Sequence, residues 1–97
     1  MRRKKRLGCE RMYAVEIEKR CLRELKELDK KFVKKAFEII ETVIAVNPYD
    51  GKKLKGKYSG LYSYRISDYR IIYEIVEKRV TIVVLRIAHR KSVYEGI

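Results

Sequence analysis

Arginine is the residue type best placed to do chemistry in this 97-residue chain. Arg65 and Arg70 bracket a predicted hairpin turn on facing strands, and Arg90 follows the end of the last apolar run. A guanidinium keeps its charge at any working pH and presents a fork of donors matched to phosphate oxygens, which also makes it a poor general base. The chain has one His, His89, and two cysteines, Cys9 and Cys21. No Gly-rich phosphate loop, paired carboxylates, zinc ligand set or Ser/His/Asp arrangement can be assembled from it, so any chemistry runs on Arg, Lys, Tyr and His89. That inventory suits metal-independent phosphodiester cleavage, in which an RNA 2′-hydroxyl attacks the adjacent phosphate while cations stabilise the growing charge. A single strand Arg is ordinarily a solvated charge. A patch of several is costly unless a polyanion fills it.

The chain also has eight tyrosines. Tyr62, Tyr64, Tyr69 and Tyr73 fall at strand spacing, as core or cross-strand partners would. Tyr94 differs, because it lies in the polar terminal stretch HRKSVYEGI. Three roles are open to it: proton donor to a leaving oxygen, stacking platform for a base, or simple docking of the C-terminus. Cys9 and Cys21 are widely spaced without His neighbours and are expected to behave as small hydrophobes.

Several elements must position these groups. Residues 1–11 lack any helix or strand period and are expected to form a basic, disordered tail, with one domain over residues 12–97. Met12 is a candidate biological start. In MYAVEI, Tyr13, Val15 and Ile17 alternate with Ala14, Glu16 and Glu18 as in a half-buried strand. Cys21, Leu22, Leu25 and Leu28 mark one amphipathic helix over Lys19–Leu28. Asp29 is a reasonable N-cap for a second, with Val33, Ala36, Phe37, Ile40, Val43 and Ile44 as its stripe and Asn47 and Pro48 as its stop. A Pro- and Gly-bearing loop follows, with an extended stretch expected around Leu54 to Tyr58. Then come LYSYRI, YRIIYEIV and VTIVVLRIA, the last apolar on both faces like a covered central strand. Ser67 and Asp68 make the first turn and Glu77 to Arg79 the second. The order predicts an α+β fold: an N-terminal strand, a two-helix antiparallel hairpin, then a three- to four-stranded antiparallel sheet.

The net charge of +12 is uneven: +5 over residues 1–11, zero over 12–51 and +7 over 52–97. Such asymmetry points to a polyanionic partner, without distinguishing nucleic acid, acidic protein and anionic membrane. No apolar run approaches the ~18 residues needed to span a bilayer, and no signal-peptide core follows the basic start. The expectation is a soluble, cytoplasmic protein with no membrane partner.

KLKGKYSGLYSYRISDYRIIYEI followed by LRIAHRKSVYEGI resembles the second half of the RelE family within the RelE/ParE toxin superfamily. Leu-Lys-Gly, Tyr-Arg-Ile, Asp-Tyr-Arg and His-Arg-Lys with a downstream Val-Tyr recur in that order, and the resemblance covers residues 12–97. It implies the toxin of a type II toxin-antitoxin system that cuts mRNA in the ribosomal A site, without metal or cofactor. A RelB-like antitoxin in a hetero-oligomer would neutralise it. By position it implies catalytic roles for Arg65, Arg70, Arg90 and Tyr94, and substrate binding by Lys55, Lys57, Ser63, His89 and Lys91. One branch of the family carries Lys at the positions of Ser63 and Arg65, so its lysine proton acceptor is missing here. Lys55, Lys57 and His89 are the candidate substitutes, the alternative being an enzyme that works mainly by positioning and electrostatics.

Two rivals belong to other classes. A ParE-like toxin would inhibit DNA gyrase with no nuclease residues, and a noncatalytic RNA-binding module would use the basic tail. The joint presence of Arg65, Arg70, Arg90 and Tyr94 favours the nuclease.

Overall fold

The computed structural model describes residues 12–94. The basic segment with Cys9, and residues 95–97, lie outside the described residues, as do the expectations that fall on them. Strand β1 (Ala14–Ile17) and helices α1 (Lys19–Leu25) and α2 (Lys30–Ile39) come first. Strands β2 (Lys52–Lys53), β3 (Leu61–Ile66), β4 (Tyr69–Val76) and β5 (Thr81–His89) follow. They form one five-stranded sheet in the order β1-β5-β4-β3-β2.

The α+β class is as expected, with two differences in the sheet. The N-terminal strand joins the meander, pairing parallel with β5 from Ala14 opposite Thr81 to Ile17 opposite Val84. The strand in the long loop is Lys52–Lys53, earlier than the stretch expected at Leu54 to Tyr58. Gly56, at φ +67°, opens a tight turn over Gly56–Tyr58, and Gly60 follows at φ +96°. These left-handed glycines break any longer extended run.

Local chemistry explains the helices. The Asp29 carboxylate accepts from the Lys31 N–H at 3.0 Å, the N-cap expected of it. Ala36, Ile40 and Ile44 recur every four residues and are buried. The helical path continues past α2 into a widened turn, Ile40–Ile44, where the Ala45 N–H donates to the Ile40 carbonyl five residues back. The extra residue puts Ala45 in the core beside Ile44. α1 ends at Leu25, one turn before the expected Leu28.

The main core lies between this helical layer and one sheet face, where Cys21, Ala36 and Ile40 meet Ile71, Tyr73, Ile82 and Val84. Burial pushes the Cys21 thiol up to about 11, so it is an inert core group. Ile72 and Val93 are also fully buried but stand outside that cluster. Ile72 neighbours Ile71 in the strand and so faces the other way, where the segment after β5 provides cover. β5 lies between β1 and β4 and is buried on the helical face, but its other face is covered only in part, with Val83 half-buried opposite the exposed Glu74. The covered strand that its apolar sequence predicts is thus enclosed less completely than expected. A register shift between Ile72 and Tyr73 sets Arg86 opposite Ile72 and Val84 opposite Tyr73. Among the described residues, no helix is long and apolar enough to cross a membrane.

Candidate functional site

The β3–β4 hairpin closes over Ser67 and Asp68, with Ile66 opposite Tyr69. Ser67 takes φ +56°, the left-handed value that two-residue hairpin turns demand. This turn fixes the register, and the register places Arg65 directly opposite Arg70. Cross-strand partners share a sheet face, so both arginines stand on the face away from the helices. Two residues back on β3, Ser63 shares that face and is 6% exposed. Lys52 of β2 is the register partner of Ser63.

Arg90 arrives by another route. Its backbone N–H donates to the Asp68 carbonyl at 2.8 Å, which pins the chain leaving β5 to the hairpin turn. Arg86 holds the rest of that segment. Its Nη1 donates to the carbonyls of Ser92 and Val93 at 3.2 and 3.3 Å, while its Nε donates to Glu24 of α1 at 3.0 Å. Burial pushes the Glu24 carboxyl up, but hydrogen bonds and charge from Arg86 and Arg20 outweigh it and leave the group below its ordinary value. Tyr94 at the end of the segment sets its ring 4.9 Å from that of Tyr58.

These elements enclose a cleft of about 800 Å³. Ser63, Arg65, Arg70, Arg90, Lys91 and Tyr94 line it, so it gathers six of the nine residues singled out from sequence. Lys55, Lys57 and His89 do not. Lys57 reaches only the margin, with its Nζ 5.5 Å from the Tyr58 ring centroid. His89 is the register partner of Tyr69, edge-on to its ring at 5.6 Å, and its Nδ1 accepts from the Lys91 N–H at 3.1 Å. It therefore faces the helical side, beside Glu24, Glu27 and Leu28.

Lys52, Asp50 and Gly51 also line the cleft, and none was anticipated as a site residue. The Lys-Lys pair was visible, but its pairing with β3 was not. A buried contact holds this wall: the Tyr73 hydroxyl donates to the Pro48 carbonyl at 2.6 Å, and Gly51 packs against the same hydroxyl. Burial pushes the Tyr73 hydroxyl well above its ordinary value, so it stays a donor.

The electrostatics are one-sided. Five cationic side chains line the cleft with one carboxylate, Asp50. Among the described residues, no carboxylate pairs with Arg65, Arg70 or Arg90. The Nη1 of Arg70 is buried with no hydrogen-bond partner. A buried guanidinium nitrogen left unsatisfied is destabilising, and an oxyanion in the cleft would satisfy it. Among the described residues, no cluster of three or more His, Cys, Asp or Glu could hold a metal ion.

Comparison with known proteins gives this chain a family. The model of the ParE toxin of type II toxin-antitoxin system, parDE, matches residues 15–94. RelE1 of Methanocaldococcus jannaschii is 35% identical over 89 residues, spanning 87% of this chain and 97% of that relative. Toxin RelE of Mycobacterium tuberculosis is 31% identical over 83 residues, spanning 84% and 86%. Among solved structures, a chain of the toxin-antitoxin complex RelBE2 from Mycobacterium tuberculosis superposes with a TM-score of 0.77 at 29% identity, over 81% of this chain and 92% of that one. A chain of the RelB-RelE antitoxin-toxin complex from Methanococcus jannaschii gives 0.61 at 30% identity, over 84% and 98%. Sequence order, sheet topology and these relatives agree, and the chain belongs to the RelE/ParE superfamily as a RelE-like toxin of a type II toxin-antitoxin system.

Proposed function

We propose that this toxin is a metal-independent endoribonuclease that cuts mRNA in the ribosomal A site, in the cytoplasm, and so stops translation. The observation that carries the reading is the Arg65–Arg70–Arg90 cleft, in which the buried Nη1 of Arg70 has no hydrogen-bond partner among the described residues. In the cut, the RNA 2′-hydroxyl attacks the adjacent phosphorus. Arg70 and Arg90 hold the non-bridging oxygens as charge builds on them, and Arg65 adds to the field. Tyr94 orients the nucleotide by stacking and gives its hydroxyl proton to the leaving oxygen. Ser63 and Lys91 complete the binding surface. Residues 12–97 act as one toxin domain.

A cognate RelB-like antitoxin neutralises the toxin in a hetero-oligomer. The relatives solved as RelBE2 and RelB-RelE complexes support that partner. An acidic segment laid over a cleft this basic would both mask it and satisfy its charge.

Incubation with translating ribosomes and mRNA tests the reading. Fragments ending in a 2′,3′-cyclic phosphate, mapped to the A-site codon, are the expected product. Intact mRNA together with inhibited gyrase supercoiling would instead favour a ParE-like gyrase inhibitor.

A further inference from the structure

The proposed cut needs a group that takes the proton from the attacking 2′-hydroxyl, and a guanidinium cannot do so. His89 lies on the other side of the sheet, and Lys55 and Lys57 do not line the cleft. The primary amines among the described lining residues are Lys52 and Lys91, and the one carboxylate is Asp50. Lys91 follows Arg90 in the segment beyond β5, whereas Lys52 belongs to the sheet.

We infer that Lys52 is the proton acceptor, an inference that rests on the nuclease reading above. Lys52 is paired in register with Ser63, Ser63 lies two residues from Arg65 on the same face, and Arg65 is paired with Arg70. Adjacent strands lie ~4.8 Å apart and diagonal neighbours ~7–8 Å. An amine at Lys52 therefore stands on the face that carries the arginines, in the cleft that they line. The start of β2 is anchored, because Gly51, next to Lys52, packs on the Tyr73 hydroxyl.

In the proposed step the Nζ lone pair of Lys52 takes the 2′-hydroxyl proton and the amine becomes an ammonium. O2′ bonds to phosphorus, and the P–O5′ bond breaks with its electron pair on O5′. The Tyr94 hydroxyl protonates O5′, which leaves a 2′,3′-cyclic phosphate and a free 5′-hydroxyl. Solvent then carries the proton from the Lys52 ammonium to the Tyr94 phenolate, and both groups return to their starting forms.

The test is single-turnover cleavage of A-site mRNA on programmed ribosomes, with thermal unfolding of each variant as a check on folding. Lys52→Arg keeps the charge and removes the acceptor; it should bind ribosomes like wild type yet cleave about a hundredfold or more slowly. Lys52→Ser should be as slow, and the transposed variant Lys52→Ser with Ser63→Lys should regain activity, because the amine returns to the same face from the neighbouring strand. Wild-type rates in Lys52→Arg would overturn the assignment, as would a transposed variant no faster than Lys52→Ser. Loss of cleavage in Asp50→Asn with full activity in Lys52→Arg would move the role to the carboxylate. Absence of cleavage by the wild type overturns the nuclease reading itself, a different result from wild-type cleavage that ignores Lys52.

Discussion

Arg65 and Arg70 are direct cross-strand partners across the β3–β4 hairpin, two like charges on one face of the sheet with no carboxylate among the described residues paired to either. Like charges in this position oppose folding, and the buried, unpartnered Nη1 of Arg70 adds to the cost. The cleft is thus maintained against stability. Arg70→Met should raise the unfolding free energy by about 1 kcal/mol while weakening RNA binding. Chemical denaturation at low ionic strength measures it; a clearly destabilised variant would show that Arg70 supports the fold.

Arg70 and Arg90 should dominate catalysis. Arg70→Ala and Arg90→Ala are each expected to slow mRNA cleavage by on the order of a hundredfold, the size of effect seen when an oxyanion donor is removed. Wild-type rates in both variants would remove them from the mechanism.

Acid should loosen the segment that carries Arg90 and Tyr94. The Glu24 carboxyl sits below its ordinary value of 4.5, with Arg86 and Arg20 outweighing the effect of burial. The folded form thus holds this proton less tightly than the unfolded chain. The stabilisation is complete above about pH 4.5 and is lost as the pH falls through the folded-state value. Glu24→Gln should flatten this part of the acid limb of a stability–pH curve. An unchanged limb would show that Arg86 does not need its ion pair.

Packing at the wall of β2 is tight. A Cβ on Gly51 would overlap the Tyr73 hydroxyl and press on the Ser63 carbonyl. Gly51→Ala should cost about 1–3 kcal/mol, as overpacked sites do. A thermal melt checks this, and Tyr73→Phe should relieve part of the clash in the double variant. An unaltered melting temperature for Gly51→Ala would mean that the loop yields freely.

Much of the architecture was legible in the sequence because it depends on local periods. The four-residue recurrence of Ala36, Ile40 and Ile44 and the Asp29 cap define α2 and its continuation. The alternation in LYSYRI and YRIIYEIV, with a two-residue turn between them, defines a hairpin. Arg65 and Arg70 could be placed opposite each other from that count alone. The widened turn at Ile40–Ile44 was not visible, because its i to i+5 bond answers to packing at Ala45.

By itself the sequence determined the α+β class, the basic character of the second half and the family motifs, since composition, spacing and residue order carry these. Tertiary structure decided which cations meet. Lys55, Lys57 and His89 are near the motifs in sequence yet fall outside the cleft, while Lys52 enters it through a two-residue strand paired with Ser63. Strand alternation sends neighbouring residues to opposite faces, and pairing between distant segments sets which face is shared. That is why the arginines could be named from sequence, and why the lysine beside them could not.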